Sequence, residues 1–110
     1  MSLEEHIKSW GKEIWISNSS LYCGKKLILS KGKDSSLHFH KIKDETFYIQ
    51  KGKVRMEIHP NGKKQIIIMK RGDSLHIYPG LLHQFFGIEN SEIFEFSTQH
   101  FEEDTYRIKK

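Results

Sequence analysis

The sequence has a single cysteine, Cys23, among its 110 residues, so no disulfide can close within the chain and no oxidising compartment is needed. Cys23 precedes Gly24 in a strand-like pattern and reads as a small packing residue. No apolar stretch is long enough to span a bilayer, and Met1 to Gly11 lacks the apolar core of a signal peptide. A soluble, cytoplasmic protein with no membrane partner is the expectation. Long uninterrupted helical patterns are missing, which argues against parallel strands joined by helices. No segment is low in complexity, and nothing repeats at a solenoid period. The net charge is +4, but the lysines come in ones and twos without interleaved aromatics, and no DNA-binding element accompanies them. Solvated strand edges explain such lysines, nucleic acid is not expected as a partner, and an anionic small ligand would suit the balance.

What is present is a series of short strands with turn residues between them, enough for one domain over residues 1–110. Ser2, Glu4 and Glu5 suggest a capped short helix through Ser9. Strands are predicted over Glu13 to Asn18, Leu21 to Ser30 with a bulge or close backbone approach at Gly24, and Lys53 to His59. Pro60-Asn61-Gly62 signals a hairpin, and Lys64 to Met69 reads as a strand covered on both faces. Leu82 to Ile88 and Ser91 to Thr98 are expected to pair across Glu89-Asn90, with one helical turn at Glu102 to Tyr106 in a polar tail. Together these predict an all-β sandwich or barrel closed by antiparallel strands.

The chain centres on Gly32 to Gly52. Side chains alternate across a strand, so His38 and His40 share one face with Phe39 on the other. If the chain turns back through Lys41 to Asp44, the Glu45 carboxylate reaches the same point, and one hairpin supplies three ligands. A fourth, His83, follows the turns at Arg71-Gly72-Asp73 and Pro79-Gly80. Three histidines and a carboxylate leave open coordination positions and suit one divalent ion, Zn, Mn, Fe, Co or Ni, rather than a closed thiolate site.

The pattern of glycine, five residues, His-x-His, four residues, glutamate, six residues and glycine resembles the first motif of the cupins. Gly72-Asp73, Pro79-Gly80 and His83 resemble the second. The resemblance implies the cupin double-stranded β-helix, a jelly-roll barrel, with the short N-terminal helix outside it. One departure stands out: the asparagine often found four residues after the last histidine is Gly87 here.

A narrower similarity links Trp10-Gly11, Phe94-Glu95-Phe96, Glu103-Asp104 and Arg107 to small sugar-isomerase cupins, of the type II mannose-6-phosphate isomerase and lyxose isomerase kinds. It implies aldose-ketose isomerisation of a sugar or sugar phosphate, in which a metal holds the carbonyl and hydroxyl while a base moves a proton. Glu95 is the candidate base, with Glu45 as catalytic ligand and Arg107, Tyr48 and Phe85 as substrate-binding residues. Alternation alone leans to the opposite phase, with Phe94 and Phe96 inward and Glu95 in solvent. Glu95 is singled out because a carboxylate among strand residues is costly unless paired or working. Two other readings use the same ligands: an Fe(II)-dependent dioxygenase on a small organic substrate, and a small-molecule-binding cupin without turnover. A homodimer is expected from exposed strand material and from Trp10 and Trp15 near the N-terminus.

Overall fold

The computed structural model describes residues 3–108. Eleven strands carry the fold: β1 (Glu4–Lys8), β2 (Gly11–Asn18), β3 (Cys23–Leu29), β4 (His38–Phe39), β5 (Glu45–Lys51), β6 (Lys53–Ile58), β7 (Gln65–Lys70), β8 (Ser74–Ile77), β9 (His83–Gly87), β10 (Ser91–Ser97) and β11 (Tyr106–Arg107). They form a six-stranded sheet, ordered β1-β2-β3-β10-β5-β8, and a five-stranded sheet, ordered β11-β4-β9-β6-β7. All named pairs are antiparallel. This is the expected all-β jelly-roll barrel. The inner faces meet in a core that includes Leu27, Ile49, Val54, Met56, Phe85 and Ile93. Among the described residues no helix is long and apolar enough to cross a membrane.

Several local expectations give way to the sheet. The N-terminal helix is absent from the described residues: Glu4 to Lys8 is strand β1, in register with Trp15 to Gly11 of β2. Ser2 lies outside the described residues. So short a helix has little stability of its own, whereas the strand gains a full ladder and stacks His6 on Trp15 at 4.2 Å. Nor do β9 and β10 form a hairpin. β9 lies between β4 and β6 while β10 lies between β3 and β5, so Glu89-Asn90 crosses from one sheet to the other. The Lys41 to Asp44 turn makes the same kind of crossing, because β4 and β5 belong to different sheets. Strand β7 is an edge strand with Ile66 and Ile68 exposed, not one covered on both faces. The irregularity expected at Gly24 sits across from it, as a register shift in β2 between Trp15 and Ser17. β6 and β7 do pair across Pro60-Asn61-Gly62, but the ladder closes at Ile58 and Gln65, outside the Asn-Gly step.

Gly87 shows why the common asparagine is missing. Its N–H donates to the Lys33 carbonyl (2.9 Å) and its carbonyl accepts from the Gly32 N–H (2.7 Å), and a Cβ here would lie 2.6 Å from the Ser30 carbonyl oxygen. Gly87→Asn is therefore expected to destabilise the fold by about 2 kcal/mol or more. Thermal unfolding of the variant checks this, and an unchanged midpoint would contradict it.

Candidate metal centre

His38 opens β4, His83 opens β9, and the two residues stand directly opposite each other in the ladder. His40 follows β4 on the same face as His38. The three rings crowd together, with centroids 4.3 Å (His38–His83), 5.1 Å (His38–His40) and 5.5 Å (His40–His83) apart. Ligand atoms from all three lie within 4.8 Å of one another. Each Nδ1 meets a backbone carbonyl: Ser36 at 2.7 Å from His38, Asp104 at 3.0 Å from His40 and Leu81 at 2.8 Å from His83. A carbonyl can only accept, so each Nδ1 carries the proton and each Nε2 lone pair is left free for a metal.

Glu45 begins β5 on the opposite sheet and brings Oε2 to 3.3 Å from His40 Nε2 and 3.6 Å from His83 Nε2. Glu45 Oε2 and His83 Nε2 are buried with no hydrogen-bond partner among the described residues. Two acceptors facing each other without a donor are costly in a closed interior, and a divalent cation satisfies both. The residues therefore fit one divalent ion, with His38, His40 and His83 as its nitrogen cluster.

Burial, helped by the neighbouring His83, lowers the His38 pKa to about 3. Burial likewise lowers His83 to about 4, outweighing its bond to the Leu81 carbonyl. Both values lie below the ordinary 6.5, so the unfolded chain takes up protons that the folded chain refuses. Stability of the metal-free protein is then complete above pH 6.5 and is lost progressively as pH falls toward 4. A loss on the order of 2 kcal/mol between pH 6.5 and 5 is expected in denaturant titrations of the metal-free protein. Stability that stays flat across this range would contradict the buried, neutral histidines.

His38, His40 and Glu45 line one end of a cavity of about 80 Å³ whose other walls are partly apolar and partly charged. Glu95 faces inward and is 4 % exposed, so the phase that alternation favoured is reversed: Phe96 is the exposed residue. Across the sheet Glu95 lies between Lys25 of β3 and Phe47 of β5. Its Oε2 accepts from Lys43 Nζ at 3.1 Å and from the Ser97 hydroxyl at 2.9 Å. Burial alone would raise the Glu95 carboxyl, but the Lys43 and Lys25 ammoniums outweigh it and hold the group well below the usual carboxylate range. Lys43 is lifted in return, since Glu95 and Glu45 overcome its desolvation. Lys25 Nζ sits 3.2 Å from Glu13 Oε1 and 4.4 Å above the Trp15 ring.

The other expected residues divide. Phe85 is buried in the cavity wall, edge-on to Trp10 at 5.0 Å. Arg107 lines the mouth, paired in register with His38, and makes no ion pair among the described residues. Tyr48 does not line the cavity: it alternates with the buried Phe47 and Ile49 and lies on the outer face of the sheet. Alternation within β5 could have excluded it. Lys25, Lys43, Glu13 and His100 were not anticipated. Lys25 left a signal, since it shares the buried phase of Cys23, Leu27 and Leu29. His100 left none, because it arrives on the irregular C-terminal segment.

That segment completes the site. Asp104, at the end of a 3-10 turn (Glu102–Asp104), is buried. Its carboxylate accepts the backbone N–H groups of Lys41 (2.9 Å), Ile42 (3.1 Å) and Lys43 (2.9 Å), and its carbonyl holds His40. One residue thus fixes the crossing that carries His40 to Glu45.

A two-sheet antiparallel barrel with three histidines clustered at one end defines a small metal-binding β-barrel. The cupin domain profile matches residues 26–96, and the chain belongs to the cupin family. No curated protein matches the sequence. Among solved structures, a tryptophan-to-tyrosine variant of Bacillus subtilis oxalate decarboxylase superposes with a TM-score of 0.86 at 21 % identity, covering 96 % of this chain and 30 % of that one. The capsular polysaccharide assembling protein CapF of Staphylococcus aureus gives 0.79 at 19 % identity, covering 98 % of this chain and 34 % of that one. KdgF from a Halomonas species gives 0.77 at 13 % identity, covering 94 % and 90 %. The chain therefore spans about a third of the first two and nearly all of the third. At such identities the likeness establishes the fold.

Proposed function

We propose that the chain is a metal-dependent enzyme acting on a sugar or sugar phosphate, moving a proton between adjacent carbons as in aldose-ketose isomerisation. The observation that carries this reading is the shared cavity: an open three-histidine cluster at one end and a buried carboxylate-ammonium pair, Glu95 and Lys43, beside it. The name of oxalate decarboxylase, a structural neighbour with Mn(II) centres, and that of CapF are compatible with small oxygen-rich substrates on this fold.

His38, His40 and His83 would hold the metal, with Glu45 as the fourth ligand. The bound metal would supply a Lewis acid for the carbonyl and its neighbouring hydroxyl. Lys43 donates to a substrate oxygen. When that oxygen draws the ammonium away from Glu95, the chief force holding the Glu95 carboxyl down is removed, and burial raises its basicity toward that of a working base. Arg107 at the mouth binds a phosphate or an outer hydroxyl, and Phe85 with Trp10 forms the apolar wall.

Incubating metal-loaded protein with aldoses, ketoses and their phosphates in deuterated water tests this. Interconversion with deuterium at the carbon beside the carbonyl is expected, lost in Glu95→Gln. No interconversion and no exchange across the panel would contradict the reading. Oxygen uptake with Fe(II) would instead favour the dioxygenase, and ligand binding without turnover the binding module.

The same reading includes a homodimer. Trp10 is buried in the core and Trp15 is half-buried, with Lys25 Nζ 4.4 Å above its ring. Ile7 and Phe96 are, however, 80 % and 58 % exposed, and both lie on the outer face of the six-stranded sheet. A monomeric mass at micromolar concentration would refute the dimer.

A further inference from the structure

We propose that Lys43 makes the cavity selective for a ligand presenting a single negative charge, an acid group with a neighbouring oxygen of the hydroxy-acid type, next to the three-histidine cluster. The inference rests on the metal reading of that cluster, not on isomerisation.

Lys43 is 3 % exposed and approaches three groups. Its Nζ donates to Glu95 Oε2 at 3.1 Å and to His100 Nδ1 at 3.2 Å, and stands 3.6 Å from Glu45 Oε1. An ammonium has three N–H donors, so the third has no acceptor at hydrogen-bond distance among the described residues, its nearest being Glu45 Oε1, and Lys43 lines the cavity. Because an ammonium only donates, His100 carries its proton on Nε2, and that N–H donates to Glu102 Oε1 at 3.1 Å. His100 and Glu95 thus take two of the three N–H groups. Glu45 lies between the two halves of the site: Oε1 faces Lys43 and the partnerless Oε2 faces the histidines. A ligand oxygen that reaches the metal lies beside Lys43 as well.

Charge decides the class. The cavity encloses two buried lysines, Lys25 and Lys43, and three carboxylates, Glu13, Glu45 and Glu95, leaving one negative charge. A divalent ion turns this into one positive charge among side chains that are mostly buried. An uncompensated charge there is costly, and one anionic group on the ligand neutralises it. At the mouth Lys8 and Arg107 outnumber Glu102 and favour the entry of an anion.

Glycolate and glycolamide serve as probes, since they share size and oxygens and differ in charge. Calorimetric titration of the zinc-loaded protein is expected to show glycolate binding about ten-fold or more tightly than glycolamide. Lys43→Met should abolish that preference while tightening zinc binding about ten-fold, because an ammonium no longer competes for the Glu45 carboxylate. Should Lys43→Met fail to fold, Glu95→Gln retains the ammonium and removes a negative charge. It should bind glycolate more tightly and zinc more weakly. Equal binding of the two probes to wild type, an undiminished glycolate preference in Lys43→Met, or Glu95→Gln without either shift overturns the proposal. Discrimination between the probes without sugar turnover defeats only the isomerase reading. Turnover of a neutral aldose with equal probe binding defeats only this one.

Discussion

His83→Ala is expected to lower metal affinity by at least about 100-fold, more than is usual for loss of a residue that merely orients a ligand. His83 Nε2 is one of the two partnerless buried atoms of the site, and its ring is tied to Leu81, so no neighbouring side chain can substitute for it. The effect on the metal-free protein should be small by comparison, because the substitution removes an unsatisfied polar atom along with its packing. Wild type should therefore gain thermal stability when metal is added, about 2.7 kcal/mol at a hundred-fold excess over the dissociation constant, and His83→Ala should gain almost none at the same concentration. Equal stabilisation of both proteins would show that the metal binds elsewhere.

Asp104→Ala should damage the fold and the site together. Three backbone N–H groups, on Lys41, Ile42 and Lys43, lose a charged acceptor, and none of them has a hydrogen-bond partner outside the Asp104 carboxylate among the described residues. A loss of about 3 kcal/mol is expected, equivalent to a fall of about 10 °C or more in Tm. The same crossing places His40, Lys43 and Glu45, and the Asp104 carbonyl orients His40, so metal affinity should also drop about 10- to 100-fold. Asp104→Asn keeps the shape but gives up one acceptor oxygen and should fall between the two. Thermal denaturation and metal titration of the three proteins separate these effects. An Asp104→Ala protein with lower Tm but unchanged metal affinity would leave Asp104 a purely structural role.

The parts of the site that could be read in advance were those whose geometry is local. His38 and His40 share a face because side chains alternate along any extended chain, and no knowledge of the partner strand is needed. Motif spacing places Glu45 and His83, but not the route of the chain: the turn between His40 and Glu45 crosses between sheets and closes no hairpin. A short loop looks the same in sequence whether it reverses one strand beside another or passes across the barrel. For the same reason the sequence pattern does not distinguish a β9–β10 hairpin from the crossing that the structure has. Alternation also gave two phases for β10, and the choice between them depended on Lys25 and Lys43, which reach Glu95 from distant parts of the chain. Two cations with buried side chains reverse the penalty on a carboxylate, and that balance exists only once the sheet has formed. The role of the C-terminal segment was hinted at by Glu103-Asp104 and Arg107. Its physical basis, a carboxylate caught by three successive N–H groups some 60 positions away, has no periodic signature.

The most direct test of the account is the metal content of wild-type protein purified without chelator and then titrated with a divalent ion to saturation. One tightly held equivalent per chain is the predicted result, since one cluster among the described residues brings His38, His40 and His83 together with the partnerless Glu45 oxygen. Saturation at no more than a trace, with no change in thermal stability, would contradict it, and the cavity would then be a binding pocket whose histidines serve packing alone.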